Sequence, residues 1–242
     1  MGVGDIIGDA LAYPFSNIKA LVLYAVLAII AGIIGGLTLF SAAVSFSTKG
    51  LAAFTSGGLS IVGIIIFILV LFLIEGYGLD IIKFGIERRA DSPGIDFGRQ
   101  ISNAAKLIVV SIVYYIVPAI IIFILGLFLR DWILTIISII LVIVFALANF
   151  MAKCRLAKTD NLGDALAIGE AIGDISRVGL GKIIATVVVI AIILIIAAVI
   201  IAFIASINNQ IMGYIASILL GFFSVYFVFF YNRAIGLLYS DA

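Results

Sequence analysis

Apolar residues run almost unbroken through six stretches of this chain, and polar residues gather in the short intervals between them. The stretches cover Ile18–Phe46, Leu59–Leu79, Lys106–Leu129, Trp132–Met151, Lys182–Ile207 and Ile211–Tyr231. None alternates apolar with polar, which predicts helices and excludes a membrane barrel. Each reaches the roughly 20 residues needed to cross a hydrocarbon core. A polar, glycine-rich loop is expected at Ser47–Gly58, a tight turn at Arg130-Asp131 with Trp132 as an interfacial anchor, and a further turn at Asn208-Asn209-Gln210.

Short amphipathic segments punctuate the pattern. In residues 3–13, Val3, Ile6, Ile7, Ala10 and Leu11 share one helical face while Asp5 and Asp9 lie off it. This predicts a helix on the membrane surface, ended by Pro14, with Ser16 or Asn17 capping the first span. Asp96–Ala105 predicts a second such helix, with Phe97, Ile101, Ala104 and Ala105 on one face. Leu162, Ala165, Leu166, Gly169 and Ile172 predict a third, after the turn Thr159–Gly163. The fold class expected is therefore all-α integral membrane: six transmembrane helices as three helical hairpins, each preceded by a short cytoplasmic amphipathic helix. Lys19, Lys106 and Lys182 open the odd-numbered spans as interfacial lysines, and each follows an acid, Asp9, Asp96 or Asp174. Residues 1–242 read as a single polytopic domain with possible repeats at 1–79, 80–151 and 152–242.

Composition agrees with lipid as the solvent. Only 11% of residues are charged, 65% are hydrophobic and mean hydropathy is +1.41, whereas soluble domains carry about 25% charged residues. The first interval, Ile74–Lys106, holds Lys83, Arg88, Arg89, Arg99 and Lys106; the second, Lys153–Lys182, holds Lys153, Arg155, Lys158, Arg177 and Lys182. Adding Lys19 and Arg233 puts 12 of the 14 basic residues on one face, leaving Lys49 and Arg130 on the other. Positive loops stay inside, so both termini are expected in the cytoplasm of a multi-pass plasma-membrane protein. Asp5 and Asp9 make the N-terminus unlike a secretory signal. A net charge of +1 offers nothing to nucleic acid.

Candidate chemistry is sparse. There is no histidine, the single cysteine, Cys154, has no standard partner, and neither metal-ligand spacing nor a phosphate loop occurs. No cofactor or metal is expected. Glu75 lies furthest inside an apolar run, and an ionisable group within a span is a functional candidate by default. It can serve a cation or proton, or it can sit near the inner headgroups and pair with Lys83, Arg155 or Arg233. Gly76 and Gly78 flank Tyr77 and would permit local unwinding. Asn149, Asn232 and Arg233 fall at similar depth, so Glu75, Tyr77, Asn149, Asn232 and Arg233 form a candidate intramembrane polar cluster. Small residues recur at Ala28, Gly32 and Gly36, at Ala198, Ala202 and Ser206, and at Gly213, Ser217 and Gly221. Such stripes let helices approach closely, and those of the fifth and sixth spans are expected to face each other.

Three motifs carry a resemblance. Ala12-Tyr13-Pro14-Phe15, the Gly76-Tyr77-Gly78 exit from the second span, and Arg89-Ala90-Asp91-Ser92-Pro93 before Asp96-Phe97 occur in order. Together the chain resembles archaeal membrane proteins grouped as domain of unknown function 4013. The resemblance implies an archaeal plasma-membrane protein of several spans and carries over no catalytic residue.

Function is open at this level. The first expectation is a non-enzymatic scaffold or membrane-organising protein whose partners are the lipid bilayer and either further copies of itself in a homo-oligomer or a membrane protein partner. The alternative is a transporter or channel for a small solute or lipid, with the polar cluster near Glu75. An intramembrane enzyme comes third, since no nucleophile and base pair is evident.

Overall fold

The computed structural model describes residues 1–49, 58–129, 131–207 and 210–242, with side-chain surroundings described for 1–34, 62–129, 132–207 and 211–242. Every regular element among them is a helix: α1 Val3–Ser16, α2 Ile18–Lys49, α3 Gly58–Ile86, α4 Phe97–Gly126, α5 Asp131–Thr159, α6 Leu162–Leu166, α7 Ile168–Val178, α8 Leu180–Ser206 and α9 Gln210–Tyr239. The three expected turns at 47–58, 130–131 and 208–210 lie outside the described residues, apart from their helical edges, and so do the surroundings of Gly36.

Five helices, α3, α4, α5, α8 and α9, are long and apolar enough to cross a membrane. A sixth span results if α1 and α2, bent by 77° at Asn17, are taken together. The chain is thus a multi-pass membrane protein in architecture. α3, α5 and α9 touch one another and form the inner set; α2, α4 and α8 pack outside them.

Several elements extend beyond their expected bounds. Pro14 sits inside the last turn of α1, and the break comes three residues later at Asn17. A proline near a helix end loses one hydrogen bond without ending the helix at once. Ser16 donates back to the Tyr13 carbonyl, and the Asn17 side chain bonds Tyr77, so neither side chain caps α2. The second short helix does not exist separately: Asp96 caps Arg99 N–H, and a single helix runs through Lys106 to Gly126. Nothing between Ala105 and Lys106 breaks helix, so the segment simply continues the span. The third short helix is divided at Ala167 into α6 and α7, and Gly179, at φ +94°, makes the corner into α8 that a side chain would resist. The tail after Arg233 is helical as far as Tyr239.

Burial is uneven along the bundle. Fully buried side chains gather at the end that carries the polar intervals: Leu21 and Tyr24 on α2, Tyr77 to Ile82 on α3, Met151 to Leu156 on α5, and Phe229 to Tyr239 on α9. Toward the opposite end α4, α5 and α8 expose Phe123, Ile139, Val199 and Phe203. On a lipid-embedded helix such side chains meet acyl chains rather than water. The packed end is held by glycine. A Cβ on Gly76 would lie 1.8 Å from the Gln100 carbonyl oxygen, and one on Gly236 would lie 2.3 Å from that of Ile82. These positions let α4 and α9 lie directly against α3, which stays helical throughout; the glycines serve close packing rather than unwinding.

Candidate functional site

The expected single cluster is not assembled. Its members divide among three places. Tyr77 is buried where α2, α3 and α9 meet: its hydroxyl accepts from Asn17 Nδ2 at 2.6 Å and donates to the Pro93 carbonyl at 2.9 Å. Its ring lies 4.9 Å from Tyr24 and 5.2 Å from Phe229. Asn232 packs against Gly78 and donates to the Val228 carbonyl one turn back. Arg233, almost wholly buried, ties three segments together. Its Nε donates to Asp9 at 2.7 Å, its Nη1 donates to the carbonyls of Phe84 and Arg89, and its guanidinium lies 4.7 Å from the Tyr13 ring. Asn149 is buried on α5, and its Oδ1 has no partner among the described residues.

Glu75 stands apart. The side chain is exposed on α3 and has no hydrogen-bond or ion-pair partner among the described residues. Arg233 is committed to Asp9 and Arg155 to Asp174, so neither meets Glu75. Helical rotation decides this: Glu75 lies five residues from Asp80, on a different side of α3 from the buried network.

Two cavities share Glu75. The larger, about 880 Å³, lies between α2, α3 and α9, walled by Ala28, Gly32, Val70, Ser217, Gly221 and Val225 among others. The smaller, about 430 Å³, lies on α3 and α4 and is closed by Lys153 of α5. Leu71 and Glu75 belong to both. The small residues of α2 and α9 therefore face each other across the larger cavity, with Gly221 set against Ile29. This corrects the expectation for α8: Ala198, Ala202 and Ser206 are exposed, because α8 buries only Ile183, Thr186 and Ile190 at its start.

Two polar networks escaped the sequence reading. Asp80 accepts from Arg99 at 3.0 Å and from Asn103 at 3.1 Å, joining α3 to α4. Asp174, fully buried, accepts from Arg155 at 3.1 Å, Arg177 at 2.7 Å and the Tyr239 hydroxyl at 2.6 Å. The available signal was an acid inside each polar interval at the level of an arginine in the other half of a helix pair.

With Asp9–Arg233 these make three ion pairs between helices: Asp9 of α1 with Arg233 of α9, Arg99 of α4 with Asp80 of α3, and Asp174 of α7 with Arg155 of α5. Lys106 and Lys182 are held by Asp160 and Asp241, acids that follow α5 and α9, while Lys19 is exposed. Outside the spans, Arg89 grips Asp91 through two hydrogen bonds and holds its carboxyl below the usual range. Asp241 gathers Lys182, the terminal amine and Arg88, and the first two pull its carboxyl down to about 2.

Among the described residues no group of acids, cysteines or histidines is placed to hold a metal ion. Cys154 is fully buried, away from any surface. No curated protein and no solved structure matches the chain. One family model does, described as a protein of unknown function, over residues 59–207. The match runs from the start of α3 to the end of α8; it includes the Gly76-Tyr77-Gly78 and Arg89–Phe97 motifs and leaves Ala12–Phe15 outside. More than half of the chain is covered, and the chain belongs to the DUF4013 family.

Proposed function

We propose that this chain is a non-enzymatic, six-span membrane protein of the plasma membrane that takes a lipid-sized apolar molecule into the cavity between α2, α3 and α9. The reading is a lipid-binding or lipid-transporting role. One observation carries it: about 880 Å³ of space, apolar on nearly every wall, lies at the less packed half of the bundle. Ligand pockets commonly measure about 300–1,000 Å³. The asymmetry of basic residues supports placing the packed end and both termini in the cytoplasm. The cavity then lies within the bilayer, above a packed cytoplasmic floor.

The test is photolabelling in a bilayer with an alkyl chain carrying a diazirine. Val70 and Val225 line the cavity yet are buried within the fold, so only an occupant reaches them. Adducts are expected there in the native protein. Gly32→Phe, at a site whose Cβ direction is open, fills the space. It should abolish those adducts and leave labelling of exposed Val199 on α8 unchanged. Inner adducts that are absent from the native protein, or that persist in Gly32→Phe, overturn the reading.

A scaffold role has one observation of its own. The small-residue stripe Ala198, Ala202 and Ser206 is exposed along α8, where a second helix can approach. Substituting Ala202→Leu and measuring mass in detergent tests it: loss of a defined oligomer supports association, and an unaltered mass rejects it.

A further inference from the structure

The smaller cavity holds two opposite charges that do not meet. Glu75 of α3 and Lys153 of α5 both line it, and the remaining walls are Leu71, Phe72, Leu107, Ile108, Ile112 and their neighbours on α4. No ion pair joins the two at 4.0 Å, and neither has another ion-pair partner among the described residues, in a protein where Arg99, Arg155, Arg177 and Arg233 are all paired. An unpaired charge beside hydrocarbon is costly, and the cost falls when a counter-charge arrives. Two such charges of opposite sign, held apart across one apolar cavity, are complementary to a molecule that carries both signs itself.

We propose that the cavity on α3 and α4 receives the headgroup of a zwitterionic amphiphile, its ammonium against the Glu75 carboxylate and its phosphate against the Lys153 ammonium. The inference rests on the proposed lipid-sized occupant and assigns its polar end. Glu75 and Leu71 form the wall common to both cavities, so a chain that leaves this headgroup passes Leu71 and enters the larger space. Glu75 lies 11 residues before the end of α3, about 16 Å along a helix that rises 1.5 Å per residue.

The experiment is competition against the diazirine label at Val70 and Val225, using four amphiphiles with the same dodecyl chain. Their heads are phosphoethanolamine, trimethylammonium, phosphate and maltoside. The phosphoethanolamine compound should compete about tenfold better than the others, the range expected for charge-assisted hydrogen bonds in a partly shielded site. Glu75→Gln should lower it to the level of the phosphate compound, and Lys153→Gln to that of the ammonium compound. The double variant Glu75→Lys with Lys153→Glu should recover the preference that each single change removes. Unaltered labelling of Val199 on α8 and an unaltered thermal midpoint confirm that each variant is folded. Equal competition by all four compounds overturns the headgroup assignment and leaves the apolar occupant standing, as does a preference that survives both single variants. Absence of inner adducts with the label alone overturns both.

Discussion

The glycine contacts of α3 make a graded prediction in which the same substitution changes sign along the bundle. Gly76→Ala places a Cβ 1.8 Å from the Gln100 carbonyl oxygen, against the 3.0 Å that real Cβ atoms respect, so α3 and α4 must part by about 1.2 Å. The obstacle is backbone and cannot rotate away. The same movement stretches Arg99–Asp80 from 3.0 Å and Asn103–Asp80 from 3.1 Å past hydrogen-bonding range. Overpacking costs about 1–3 kcal/mol, and weakening a half-exposed ionic pair adds about 1 kcal/mol, for about 3 kcal/mol in all. At about 2–4 °C per kcal/mol for a chain of this size, the thermal midpoint falls by about 10 °C. Gly236→Ala, with its contact at 2.3 Å, follows with a smaller fall. Gly213→Ala on α9 meets nothing within 4 Å and removes only unfolded-state freedom, so stability rises by about 0.5–1 kcal/mol and the midpoint by about 1–4 °C. Thermal unfolding of the three variants in one detergent is the assay. A Gly76→Ala midpoint within about 1 °C of the native protein would refute the argument that α4 rests on bare backbone.

Asp174→Asn leaves Arg155 and Arg177 facing a neutral amide in a fully buried position. Breaking such a pair costs about 3–5 kcal/mol, and hydrogen exchange should show α6 and α7 opening before the spans do. Asp241 has its carboxyl held at about 2 by Lys182 and the terminal amine. A depressed folded-state value means its contribution is present above pH 4, the ordinary carboxylate value, and is lost as pH falls toward 2. Cross-linking between the terminal amine and the last residues should therefore weaken over that window, and Asp241→Asn should weaken it at every pH. Cys154, fully buried, should resist a membrane-permeant maleimide in the native protein and react only after denaturation. Rapid native labelling would show that α5 and α9 separate.

The long helices were legible because an apolar run of span length has few other fates, and their polarity breaks located the intervals. The extent of each helix was not. Asp80 falls in a polar interval, and Arg99 and Asn103 fall on the polar side of an expected surface helix, yet they lie between α3 and α4 and satisfy one another. Polarity alone does not separate a solvated turn from a buried network. Glu75 was singled out by depth, but partners across helices depend on how each helix is turned about its axis. That rotation comes from Gly76, Gly85 and Gly236, whose contacts are tertiary. The stripe on α8 and that on α9 look equivalent by spacing, yet Ala198, Ala202 and Ser206 are exposed, whereas Ser217 and Gly221 line the cavity shared with α2. The two cavities had no signature in the chain: the larger is left where Ala28 and Gly32 oppose Ser217 and Gly221, and the smaller lies among large side chains of α3 and α4 whose placement is tertiary.

The tie between Asp9 and Arg233 spans 224 residues of sequence. During synthesis α1 emerges first among these helices and its docking partner last. Until α9 is inserted, α1 lacks its main packing partner, and Asp9 has no guanidinium. The membrane must hold the opening helix provisionally while five long helices are laid down. Closing the bundle is thus a single late event, timed by the delivery of one arginine, and a ribosome that stalls before it leaves the protein open at the seam.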